Sequence, residues 1–279
     1  MNAPAKANPH MHHWPDADQL DLERAALLLE HPGVAIRIAN KLGTPIEWAI
    51  GRLPAGVVTA SQQASESAHS VAVSTMDAQG KGGSRDIWHK VAAGAVGAAG
   101  GAFGMAGLAI ELPITTTVIL RSVADIARSE GESLAALETR LACVNVLALG
   151  GRTKADDGAD SAFLAARVAL VDALGGAAQA IAGQQASGIV APALGRLVKL
   201  IAQRFGIQVS HKVAAQALPV IGAAGGAILN VLFIDQFQDM ARGDFTVRRL
   251  ERHWGPAAVD AAYRDVVQNG RVRARPPAG

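Results

Sequence analysis

The sequence predicts an all-α fold, a single multi-helix bundle with two central Gly/Ala-rich hydrophobic helices packed together. Three observations carry that expectation. The first is composition: of 279 residues, 57 are Ala and 30 Gly, half the chain is hydrophobic, and only 4% is aromatic. Alanine is the best helix former and a poor strand former. The second is a repeat: the hexapeptide GAAGGA occurs at 97–102 and again at 222–227. The third is that each copy lies in a run without charge, residues 91–110 and 213–234. Each run has the length a helix needs to cross a bilayer.

The elements follow in order. Residues 1–17 have no periodic pattern and are expected to be disordered; the histidines there, His10, His12 and His13, read as incidental. They lack the charged start and apolar core of a signal peptide. A helical arm covers 18–76, with one helix over 18–40 carrying Leu22, Ala25, Leu28 and Leu29 on its apolar face. Residues 77–86, rich in Gly, Ser and charge, form a flexible loop. The core covers 87–268. In its first uncharged run, fourteen of twenty residues are Ala or Gly, and Gly94, Gly97, Gly101 and Gly104 share one helical face. Such a stripe lets a second backbone approach closely. Gly97, Gly101, Gly104, Gly222 and Gly226 are therefore the expected helix-packing residues.

Glu111-Leu-Pro113 is expected to end that run and Pro113 to open a new helix reaching Ser129, since Pro fits a first helical turn. Gly131 closes it. Leu134, Leu137, Leu141, Val144 and Ala148 give the next helix its stripe, and 161–183 and 190–204 read as further helices. After the second uncharged run the chain becomes polar at 235–239, where Asp235 and Asp239, four apart, fall on one helical face. Phe245 to Trp254 then forms an amphipathic helix, with Val247, Leu250 and Trp254 on one face and arginines on the other. Gly255-Pro256 separates it from a last helix, and 269–279 is a basic disordered tail.

Charge divides unevenly. Residues 1–160 carry 13 basic and 17 acidic side chains, whereas 161–279 carry 13 and 7. The basic C-terminal part points to a membrane surface or a membrane protein as partner, through Arg248, Arg249, Arg252 and Trp254. Nucleic acid is not expected, because no set of stacking aromatics accompanies the arginines. A single cysteine, Cys143, forms no intramolecular disulfide and reads as a small core residue. No recognisable catalytic motif, metal motif or nucleotide-binding glycine loop occurs, so no cofactor or metal is expected and an enzyme is the lesser expectation. The polar residues that border the uncharged runs, Glu111, Thr115, Thr116, Arg121, Asp125, Asp235 and Asp239, are the candidate functional set.

The stretch from Gly100 to Thr116, GGAFGMAGLAIELPITT, followed by Ile119-Leu-Arg121-Ser-Val-Ala-Asp125, resembles the central block of the bacterial EcsC family. So do Leu147 to Gly151, Leu218 to Ala224 and Phe245 to Arg252, in the expected order. Two positions depart from it: Leu147 stands where the family has Phe, and Asp244 where it has His. The resemblance implies importance for Glu111, Thr115, Thr116, Arg121 and Asp125, which fall on the family's ELPxTT…R…D pattern. It implies no activity, since the family is named for a companion of an ABC transporter. The expected function is that of a membrane-associated helical protein acting through protein or lipid contacts at the cytoplasmic side of the bacterial inner membrane, peripheral or partly inserted. The alternatives are a soluble cytoplasmic protein and, for activity, a peptidase-like hydrolase using carboxylates near Glu111 and Asp235.

Overall fold

The structure is a computed structural model. It describes residues 10, 13–30, 108–149, 161–171, 199–201, 203–205, 207–208 and 222–268, with side chains left out for 108–113 and 222–227. The described residues fold as helices without a strand, so the chain is all-α. Five helices are referred to by label: α1 (Asp16–Glu30), α2 (Leu108–Ser129), α3 (Leu137–Leu149), α4 (Gly222–Trp254) and α5 (Pro256–Gln268). Residues 162–171 form a further helical stretch.

α4 is the axis of the assembly and packs against α1, α2, α3 and α5. At 33 residues it carries part of the second uncharged run, the polar stretch 235–239 and the amphipathic segment 245–254 in one continuous helix. The reason is packing. Phe233, Ile234, Phe237, Met240, Ala241 and Phe245 are all buried, so the apolar stripe runs unbroken beneath the polar residues of that stretch. Phe205, Phe233 and Phe237 form an aromatic knot on it, with ring centroids 5.1–6.4 Å apart.

α2 also differs from expectation. It begins at Leu108 and passes through Pro113 instead of starting there. Pro113 lies one turn inside the helix, so the ring forfeits only the early backbone bond toward Ala109. Its C-terminus is as expected. Gly131, with φ +84°, lets its own N–H donate to Arg128 O (3.0 Å) and the N–H of Glu132 donate to Ala127 O (2.9 Å), a Schellman cap. A Cβ at Gly131 would meet nothing nearer than the Arg252 guanidinium at 4.0 Å, so Gly131→Ala costs backbone strain alone. We expect a loss of about 1 kcal/mol, read as a lower urea midpoint with an unchanged slope.

The order of the chain begins earlier than the sequence suggested. Trp14 is 6% exposed and stacks on Trp254, with centroids 5.1 Å apart and planes 13° from parallel. The Trp254 indole N–H donates to Asp18 Oδ2 at 2.9 Å. α3 is buried on most of its circumference, including Cys143, Val146, Leu147 and Ala148, so the single stripe read from the sequence understates its enclosure.

Two buried hydrogen bonds fix the direction of α2 relative to α4. Thr115 Oγ1 donates to Asn230 Oδ1 (3.4 Å), and Gln238 Nε2 donates to Ser122 Oγ (2.7 Å). Residue numbers rise together along both helices, so α2 and α4 run parallel. α1 runs the other way: Asp18 meets Trp254, Asp21 meets Arg249, and Leu29 meets Gly243. The second GAAGGA copy forms the first turns of α4. The first copy, with Gly97, Gly101 and Gly104, lies outside the described residues, and so does the pairing of the two copies.

Candidate functional site: a charged cluster at the C-terminal end of the parallel helix pair

The last three turns of α4 gather charged side chains from four other parts of the chain. On α4 itself Asp244, Arg248 and Glu251 follow at i, i+4 and i+7, which stacks them on one face. Opposite them stand Arg167 from helical residues 162–171, Glu132 from the turn between α2 and α3, and Glu138, Thr139 and Cys143 from α3. Arg167 grips Glu251 with both terminal nitrogens, at 2.8 and 2.7 Å, and lies over the Phe163 ring at 5.5 Å. Arg248 donates from Nε to Glu132 (3.2 Å) and from Nη2 to Glu138 (3.3 Å). Arg252 pairs with Glu132 and donates to the backbone oxygen of Glu130 at 3.0 Å. Thr139 Oγ1 donates to Glu132 Oε2 at 2.9 Å.

The next residue, Arg249, closes a second set. It reaches Asp21 of α1 at 2.7 Å, Glu130 at 2.9 Å and Asp18 at 3.9 Å. Arg248, Arg249 and Arg252, expected to form an unopposed basic face, are thus shared among five carboxylates: Asp18, Asp21, Glu130, Glu132 and Glu138. The amphipathic pattern places the arginines correctly on the outer side of α4. It carries no sign of the acids that α1, α3 and the α2–α3 turn bring to meet them. Trp254, expected at a lipid or partner contact, is occupied by Trp14 and Asp18.

Burial sets the protonation of this cluster. Asp244 is enclosed, and burial pushes its carboxyl above the usual range; Arg167 and Arg248 pull it down, while Glu251 and Glu132 push it further up. Glu132 goes the opposite way: burial disfavours its charge, but Arg248, the Thr139 hydroxyl and Arg252 together outweigh it and hold the carboxyl low. The Cys143 thiol is pushed up to about 12 by burial and by the Glu132 charge, which makes it a packing residue rather than a nucleophile.

A second polar junction joins α1 to residues 161–171 and α5. Glu30, the last residue of α1, accepts from Ser161 Oγ (2.5 Å), Tyr263 OH (3.1 Å) and the backbone N–H of Ala162 (3.2 Å). A carboxylate at a helix N-terminus is favoured by the helix dipole, and Ser161 completes the cap by accepting from Leu164 N at 3.0 Å. Burial and the Glu30 charge hold the Tyr263 hydroxyl well above its usual range.

The residues singled out from the sequence distribute differently. Thr115 and Thr116 are buried on α2. Arg121 is exposed, and Asp125 pairs with Arg128. Asp239 pairs with Arg242 at 2.8 Å. Glu111 lies on α2 with its side chain outside the described set, and Asp235 lies on α4. The helix offset of 115–116 residues sets Asp235 level with residues 119–120. That is about 12 Å along the axis from Glu111, at 1.5 Å per residue. Arg167, Glu132, Glu251, Glu30 and Tyr263 carried no sequence signal, because each depends on a partner more than 80 residues away. Among the described residues no group of His, Cys, Asp and Glu is arranged to hold a metal ion.

An all-helical protein with a central long helix, a buried polar seam and a knot of ion pairs at one end is thereby defined. The chain belongs to the EcsC protein family, whose model matches residues 37–250. No curated protein and no solved structure matches the chain.

Proposed function

We propose that this protein is a membrane-associated helical protein that meets a lipid surface with one end of its bundle, the end opposite the charged cluster. The supporting observation is the parallel direction of α2 and α4. Parallel helices bring their N-termini to the same end, and the described parts of the two uncharged runs, 108–110 and 222–234, lie in the opening parts of those helices. Ile114 on α2 (42% exposed) and Ile228 on α4 (60% exposed) stand there at nearly equal levels. Large apolar side chains exposed together mark contact surfaces. The opposite end, with five carboxylates around three arginines, carries a negative surplus that anionic lipid would repel. Among the described residues no helix is long and apolar enough to cross a membrane. Glycine-to-glycine packing of the two GAAGGA copies belongs to the same reading, since it would hold the two runs together at that end. The hydrolase alternative gains no support from the register, which sets the backbones of Glu111 and Asp235 about 12 Å apart along the helix axis.

Flotation of the full-length chain with phosphatidylcholine vesicles, with and without phosphatidylglycerol, tests this. We expect binding to both vesicle types, insensitive to salt, and at least a five-fold lower bound fraction for Ile114→Glu/Ile228→Glu. A chain that stays with the soluble fraction and is monodisperse in plain buffer defeats the proposal. Binding that needs anionic lipid, disappears in high salt and ignores the isoleucine changes would return the contact to the arginines.

A further inference from the structure

The parallel direction of α2 and α4 also decides which of their outer residues stand together. Thr115 and Ser122 mark the side of α2 that meets α4, and Asn230 and Gln238 mark the side of α4 that meets α2. At about 100° per residue, Ile114 and Arg121, each one position before a contact residue, turn to one side of α2. Ile228 and Asp235 turn about 100–120° in the opposite sense from the mean contact direction on α4. In parallel helices that face each other, opposite senses lead to the same flank. The register then sets two levels on it: Ile114 near Ile228 and, seven residues further along each helix, Arg121 near Asp235. Two turns, about 10 Å along the axis, separate the levels. Val118 and Val231, both half-buried, occupy the flank between them. Ile114, Ile228 and Arg121 are exposed.

We propose that this flank selects a zwitterionic phospholipid headgroup: Ile114 and Ile228 enter the acyl boundary, the Arg121 guanidinium takes the phosphate and the Asp235 carboxylate takes the ammonium. This selectivity rests on the lipid-facing end proposed above, whose contact it narrows to one class of lipid. Surface-bound helices bury their apolar side ~5–10 Å into the boundary between headgroups and acyl chains, so charges about 10 Å above the isoleucines stand among the headgroups. A guanidinium matches the geometry of a phosphate, and its apolar stem suits a position between apolar and wet surface. The acid decides the class of lipid. Flanks that bind anionic lipid gather several basic residues, whereas here one charge of each sign stands at one level. Such a pair gains nothing from the net negative charge of a membrane, and it complements the two charges of phosphocholine or phosphoethanolamine.

Flotation of the full-length chain with vesicles of phosphatidylcholine alone and of phosphatidylglycerol alone, at physiological salt, tests the headgroup assignment. The wild type should bind phosphatidylcholine at least five-fold more strongly than phosphatidylglycerol. Asp235→Asn should lose most of that preference by gaining affinity for phosphatidylglycerol, and Arg121→Gln should bind both lipids several-fold more weakly. Equal or stronger wild-type binding to phosphatidylglycerol overturns the headgroup assignment and leaves the apolar contact standing. So does an Asp235→Asn variant that keeps the full preference, or an Arg121→Gln variant that binds like the wild type. A wild type that binds neither vesicle defeats the lipid-facing reading itself, and the headgroup assignment with it. Should either variant fail to fold, the wild-type comparison of the two lipids decides on its own.

Discussion

Replacing Arg167 by Met is expected to cost on the order of 3 kcal/mol, the largest single effect foreseen for this protein. Met keeps an apolar stem of similar length over Phe163, so the loss reports charge more than packing. The change strips Glu251 of both its hydrogen bonds and removes a positive charge that acts on Asp244. Glu251, only 17% exposed, is then left without its counter-charge. Leaving a buried charge unpaired is the costly half of breaking an ion pair, which gives the size of the effect. A double-mutant cycle checks the cause: Arg167→Met/Glu251→Met should recover part of the loss. A purely additive cycle would mean that Arg167 contributes only its stem.

Gly243→Ala is expected to destabilise by about 1–3 kcal/mol before the gain in helix propensity, up to ~1 kcal/mol, is subtracted. A Cβ at Gly243 would sit 2.5 Å from Leu29 Cγ and within 3.0 Å of both Leu29 methyls. Cγ is the branch point of the leucine, so no simple rotation of a free end relieves the clash. Either Leu29 changes rotamer in the last turn of α1 or α1 moves away from α4. The second outcome would also strain Glu30, the next residue, whose carboxylate joins Ser161, Ala162 and Tyr263. Leu29→Ala should relieve the clash, so the double variant should lose less than the sum of the two single ones. Equal melting temperatures for Gly243→Ala and wild type would show that α1 and α4 are not held at this distance.

Gly243 also shows where the sequence reading of glycine was incomplete. The GAAGGA repeat drew attention because six small residues in a row are visible in one dimension. Among the described residues, the glycine that meets a neighbouring helix most closely lies elsewhere, in Arg242-Gly243-Asp244, a polar context with no repeat and no stripe. Its role depends on Leu29, more than 200 residues away, and no local pattern encodes that. The same holds for the polar stretch 235–239. Read locally it separates the second uncharged run from the amphipathic helix at 245–254, yet the buried Phe233, Phe237 and Met240 beneath it carry one helix through both.

What the sequence determined by itself was the class of secondary structure, several helix ends and the family. Alanine content and apolar periodicity suffice for an all-α chain, Gly131 and Gly255-Pro256 end their helices through backbone conformations written in the residues themselves, and the ELPxTT…R…D block carries membership. Only the tertiary structure decided the direction in which α2 and α4 run, the loss of the basic face to intramolecular pairs, and the burial of Asp244. The physical reason is range. Helix propensity and capping act over one or two turns, whereas the fate of a charge depends on what stands opposite it after folding. For Arg167, Arg248 and Arg249 those partners lie 84 to 228 residues away.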